Sequence, residues 1–190
     1  MSFITNQQGQ TLLERFKVLI KDTRFFDCLV GYFYTSGFYH LYPSLENTEK
    51  IRILIGIATN KMTSDLIHGH QTTLQNILLS HAETRERYQE IVAEEYENSE
   101  DILDVEAGVV KFIEWIKSKK LEIRAYPAQN IHAKLYIMTF TEDDRDIGRV
   151  ITGSSNFTEA GLMDNLEFNV ELKNRSDYEY AKQKFEELWN

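Results

Sequence analysis

The chain is decided by His132-Ala133-Lys134-Leu135-Tyr136-Ile137-Met138-Thr139-Phe140 and by the two segments that follow it, Gly153-Ser154-Ser155-Asn156-Phe157-Thr158-Glu159-Ala160 and Asn165-Leu166-Glu167. The aromatic and β-branched content of the first segment predicts a strand over 132–140. Strand side chains alternate between faces, so His132 and Lys134, two apart, point the same way. A polar turn over 141–148 leads to a second strand, 149–153. Gly153-Ser154-Ser155-Asn156 then breaks the strand and opens a short helix over 158–163. Backbone N–H groups are unpaired at a helix start, and with Ser and Asn side chains beside them they suit an anion such as phosphate. Glu167 is expected to begin a last strand, 167–172, within reach of His132. A carboxylate behind an imidazole fixes its tautomer and raises its nucleophilicity. Taken singly, these features are a structural histidine, a sheet-edge lysine and a capped turn. Taken in order, they put a nucleophile, a cation, an amide and a carboxylate into 36 residues, 132 to 167.

Working outward, Asp27 to Thr35 and Ile51 to Thr59 read as strands. The second is nearly all apolar, as expected of a strand covered on both faces. Leu121 to Tyr126 reads as another. Helical spacing of apolar residues runs through 8–21, 38–45, 64–79, 109–119 and 177–189. Strands alternating with helices predict an α/β layered sandwich, a mixed β-sheet flanked by helices. One domain over 1–190 is expected, with 81–120 as an acidic helical insertion.

The net charge of -9 argues against a protein that grips nucleic acid by electrostatics alone. Residues 81–106, however, hold ten acids and two bases, so the rest of the chain carries 19 bases against 20 acids. The acidic segment is a solvated helical face, a docking surface, or a device that repels nucleic acid from one side. Cys28 is alone and reads as a small buried hydrophobe, which rules out an internal disulfide and a cysteine-built zinc cluster. His68-Gly69-His70 has two metal-ligand types but no third nearby. Asp143, Asp144 and Asp146 resemble a cation loop only faintly and read as a solvated turn, and Tyr32-Phe33-Tyr34 as core packing or a base-stacking surface. No apolar run approaches the roughly 20 residues of a membrane span, and no signal peptide is visible, so a cytoplasmic protein is expected.

The order His-x-Lys, Gly-Ser-x-Asn-Phe-Thr-x-Ala, Asn-x-Glu resembles the phospholipase D superfamily signature. The segment from Gly31 to Gly37 and the closing helix resemble, more faintly, the phospholipase D-like domains ahead of DEAD/DEAH-type helicases. The resemblance implies a phosphodiesterase with no metal and no cofactor. His132 would attack phosphorus and form a phosphohistidine. Lys134 and Asn156 would hold the non-bridging oxygens, Glu167 would orient His132, and Gly153 with Ser154 or Ser155 would touch the phosphate. The family site contains two such motifs, whereas His40, His68, His70 and His81 lack the Lys two residues on. The resemblance therefore implies a homodimer with one His132 from each copy. It departs from the family at Thr139, where an aspartate is usual. Nucleic acid is the expected substrate and the membrane is not an expected partner. The weaker resemblance puts forward a helicase domain in a longer chain, or a restriction system, as the setting. The competing functions are a lipid phosphodiesterase or phosphatidyl transferase, and a catalytically silent dimerisation or nucleic-acid-docking module.

Overall fold

A computed structural model describes residues 3–7, 9–59, 102–125, 131–142 and 146–190. Its strands are β1 (Phe3–Ile4), β2 (Thr23–Phe33), β3 (Lys50–Thr59), β4 (Leu121–Ala125), β5 (Leu135–Phe140), β6 (Gly148–Gly153) and β7 (Asn169–Leu172). Its helices are α1 (Leu12–Ile20), α2 (Thr35–Leu45), α3 (Ile102–Lys117) and α4 (Arg175–Trp189), with a π-helical turn at Ala160–Asp164. The strands form one sheet in the order β1-β7-β6-β5-β2-β3-β4. β2, β3 and β4 run parallel. β5 joins β2 antiparallel, and β6, β7 and β1 continue antiparallel from there. β2 is thus the strand where the two kinds of pairing meet. The mixed sheet between helical layers is the architecture the sequence predicts.

Alternation along β2 sorts the core. Phe26, Cys28 and Val30 point to one face and pack with α1, α2 and α3 through Phe16, Phe38, Phe112 and Trp115. Leu29 points to the other, where Leu54, Ile137 and Val150 meet Tyr178, Ala181, Phe185 and Trp189 of α4. Phe33 is fully buried and stacks on Phe157, centroids 5.3 Å apart, so the middle of Tyr32-Phe33-Tyr34 belongs to the core. Cys28 is buried, and burial pushes its thiol well above the ordinary range, leaving it protonated and unreactive.

A charged cluster ties α4 to the sheet. Asp27, almost wholly buried on the Leu29 face, accepts from Arg52 at 2.6 Å and from Lys182 of α4. The Arg52 guanidinium also forks onto Glu186 at 2.9 and 2.5 Å and lies over Phe185 and Trp189.

Several boundaries differ from those expected. β2 starts at Thr23, because its first residues pair with the far end of β5, Thr23 with Phe140. α2 starts at Thr35, so Ser36-Gly37 forms its first turn instead of a break. Gly37 packs closely there: a Cβ would stand 3.0 Å from the Phe157 carbonyl, so a larger residue would press on that segment. The strand expected over 132–140 pairs only from Leu135, and the one expected from Glu167 only from Asn169. The helix expected over 158–163 is the π-helical turn. The helix expected over 64–79, most of the acidic segment, His68, His70, His81, Asp143 and Asp144 lie outside the described residues.

Candidate active site

The site lies where β2 ends, β5 begins, β6 ends and β7 begins. His132 and Lys134 stand on the extended lead into β5. That lead crosses β3 at Gly56, where a Cβ would lie 2.1 Å from the Ile131 carbonyl oxygen. Only a glycine lets the backbone pass so close.

His132 is exposed and Lys134 is buried, with 6% of its surface accessible. The Lys134 ammonium meets His132 Nε2 at 2.8 Å and donates to the His132 carbonyl at 3.2 Å. Burial lowers the Lys134 pKa below its ordinary 10.5, against a smaller upward pull from Glu167. Thr152 of β6 donates to the Lys134 carbonyl at 2.8 Å and fixes the lead against the neighbouring strand.

Asn156 joins this pair through Gly31. A Cβ built on Gly31 would stand 3.4 Å from His132 Cδ2 and 3.6 Å from Asn156 Oδ1. The imidazole and the carboxamide therefore both lie beside Gly31, at ordinary contact distance from where a Cβ would stand. The Tyr32 N–H donates to Asn156 Oδ1 at 3.1 Å, which leaves the Asn156 amide N–H groups for another acceptor.

The remaining expected residues are placed differently. Ser155 is fully buried, and its polar atoms face inward. Its N–H donates to Asn169 Oδ1 at 3.2 Å, its hydroxyl accepts from Asn169 Nδ2 at 2.9 Å, and its carbonyl accepts from Tyr136 at 2.8 Å. Ser155 thus holds the turn and does not face a ligand. The Ser154 hydroxyl donates to Glu167 and accepts from the Phe168 N–H at 2.9 Å. Glu167 meets Ser154 and not His132, because it precedes β7, level with the end of β6. The backbone N–H groups of Ser154 and Ser155 are likewise taken, by the Phe168 carbonyl and by Asn169. Gly153 is pressed against β7: a Cβ would lie 2.2 Å from the Phe168 carbonyl. His40 faces Glu159 at 3.4 Å. Thr139 shares a hydrogen bond of 2.7 Å with the Tyr178 hydroxyl, so the position that departs from the family motif is tied to α4.

Gly31, Tyr136 and Asn169 are site-shaping residues that sequence reasoning missed. A signal was present for two of them. Tyr136 stands two residues after Lys134, and Asn169 two after Glu167, so each continues on the same face a series whose functional members were already noted.

The family described as cardiolipin synthase, PLD-like domain, matches residues 39–189, and the chain belongs to this phospholipase D-like family. The fold is shared with several solved structures. Nuc from Salmonella typhimurium, a phospholipase D family member, is 15% identical with a TM-score of 0.53, covering 99% of this chain and 92% of its own. NucT from Helicobacter pylori is 11% identical with a TM-score of 0.50, covering 94% and 87%. Polyphosphate kinase from Porphyromonas gingivalis is 10% identical with a TM-score of 0.52, covering 98% of this chain and 22% of its own. At these identities the likeness is one of fold. No curated protein matches the chain in sequence. Among the described residues no helix is long and apolar enough to cross a membrane.

Proposed function

We propose that the chain is a metal-independent phosphodiesterase acting on nucleic acid, working through a covalent phosphohistidine at a site completed by a second copy. The observation that carries this reading is the meeting of His132 and Asn156 beside Gly31, with the Lys134 ammonium 2.8 Å from His132 Nε2. The three supply what a phosphoryl transfer needs. His132 Nε2 attacks phosphorus as the bond to the leaving oxygen breaks, and Lys134 and the Asn156 amide stabilise the charge on the non-bridging oxygens. The leaving oxygen takes a proton from an acid. One imidazole cannot be nucleophile and acid in the same step, so this role falls to His132 of the second copy. Water then attacks the phosphohistidine, that same imidazole takes its proton, and the Nε2–P bond breaks.

At rest Lys134 occupies the lone pair that attacks. An incoming phosphate offers the ammonium better acceptors, draws it away and frees Nε2. Glu167, bonded to Ser154, pulls the Lys134 pKa upward but only in part offsets the lowering by burial. Nucleic acid is the substrate favoured by the resemblance to helicase-associated domains. A body of near-neutral charge fits a nuclease module whose partner domain, in a helicase or restriction system, provides the basic grip.

The test is incubation with single- and double-stranded DNA, RNA and a phospholipid, all in EDTA. Nucleic-acid cleavage that disappears in His132→Ala, with an acid-labile, base-stable phosphoprotein trapped in the wild type, is the expected result. Cleavage only with added magnesium overturns the chemistry. Phospholipid turnover without nucleic-acid cleavage moves the substrate to lipid. Binding without turnover leaves a docking module.

A further inference from the structure

Asn156 is held in place by a residue that itself does not face the site. Ser155, immediately before it, has its N–H, hydroxyl and carbonyl each bonded to a buried side chain. Two of those bonds come from Asn169, fully buried on β7, whose amide also donates to the Ile4 carbonyl of β1 at 3.5 Å. The third comes from Tyr136, fully buried on β5, one alternation beyond Lys134. The strand that carries the cation therefore also holds the turn that carries the amide.

We propose that Tyr136 and Asn169 are positioning residues that set the distance between Lys134 and the Asn156 carboxamide by clamping Ser155 from both sides. This rests on the phosphodiesterase reading of the site. Four arguments support it. A serine whose polar atoms all point inward costs hydrogen-bonding freedom that a plain turn would not surrender. The Tyr32 N–H fixes the Asn156 carboxamide itself, so the turn and the side chain are restrained independently. Burial pushes the Tyr136 hydroxyl well above its ordinary range, so it remains a donor at every working pH. A cation and an amide that must share one phosphate need their spacing fixed before the substrate arrives.

The variant Tyr136→Phe removes one hydroxyl and keeps the ring. The expected loss is about 10- to 100-fold in kcat with KM changed less than about twofold, the pattern of a group felt only in the transition state. The decisive comparison is a double-mutant cycle with Asn156→Ala. If Tyr136 acts through Asn156, the hydroxyl should matter little once Asn156 is gone. An equal loss in both backgrounds, or an unchanged kcat, overturns the proposal. Asn169→Asp keeps the acceptor for the Ser155 N–H and loses the donor, and should give an intermediate loss. A second measurement does not depend on turnover. The Asn156 side-chain NH2 resonance, assigned by its loss in Asn156→Ala, should shift or broaden in folded Tyr136→Phe. An unmoved resonance refutes the clamp even in an active enzyme. A moved one, in a protein that cleaves no phosphodiester, sustains the clamp while the phosphodiesterase reading falls.

Discussion

In the proposed site Lys134 joins two conditions that usually conflict: it is buried, and it must stay charged to serve a phosphate. Burial wins enough to lower its pKa below 10.5. A lowered lysine pKa means the ammonium is complete at low pH and is lost earlier as pH rises. The alkaline limb of the rate profile is therefore expected to bend below pH 10.5, measured on any substrate the enzyme cleaves. In Lys134→Arg the cation persists across that range, so whatever rate remains should lose the bend. A limb unchanged in the arginine variant would assign it to another group. Gly31 lies beside the same groups: a Cβ there would stand at ordinary contact distance, 3.4 Å from His132 Cδ2 and 3.6 Å from Asn156 Oδ1, and a composition count has no way to register such a position.

At the scale of elements, α4 is bound to the sheet by apolar packing and by the Asp27–Arg52–Glu186–Lys182 cluster. The hydrogen bonds from Arg52 are the largest influence holding the Glu186 carboxyl at about 2, from an ordinary 4.5. A depressed carboxyl contributes stability that is fully present above its unfolded value and disappears as pH falls through the folded one. The window is thus about pH 4.5 down to about 2. Because Glu186 is partly exposed, solvent screening limits the effect to about 1–2 kcal/mol. Calorimetry of Glu186→Gln should show a melting temperature that falls less steeply over that window than the wild type's; parallel curves would show that the pair is screened out.

The elements also show what could be read in advance. The apolar run Ile51 to Thr59 and the periodic apolar stripes of α1 and α4 announce their own structure, because burial on a fixed face leaves a period in the sequence. The π-helical turn leaves no such period. The late start of β5 was hidden because His132-Ala133-Lys134 has strand-like alternation while its partner strand, β6, ends at Gly153. His132, Lys134 and Asn156 were marked in the sequence by the resemblance to a family motif, and the structure sets Lys134 against His132 and brings His132 and Asn156 to the same glycine. Ser155 and Glu167 were legible as residues but not in their contacts, which depend on where two strand ends fall level with each other.

At the scale of the molecule, the proposed site needs two copies, and this has a kinetic signature. Specific activity should decline on dilution as the dimer dissociates, and light scattering over the same concentrations should show the mass falling in step. Full activity in a monomeric sample would place the second acid within one chain. The family match begins at residue 39, yet β2, which carries Gly31, lies before it. The core of the domain and the spacing of its site thus draw on a strand that the family match does not reach.

The ladder of β5 begins at Leu135, three residues after His132. The proposed nucleophile hangs from the end of the sheet, located by close passage of its neighbour Ile131 over Gly56 and by the contact with Lys134. Durability and turnover are consequently governed by different parts of the chain. A heat-resistant variant selected for its melting point alone has no reason to keep the histidine in register, and many robust but idle sequences should surround this one.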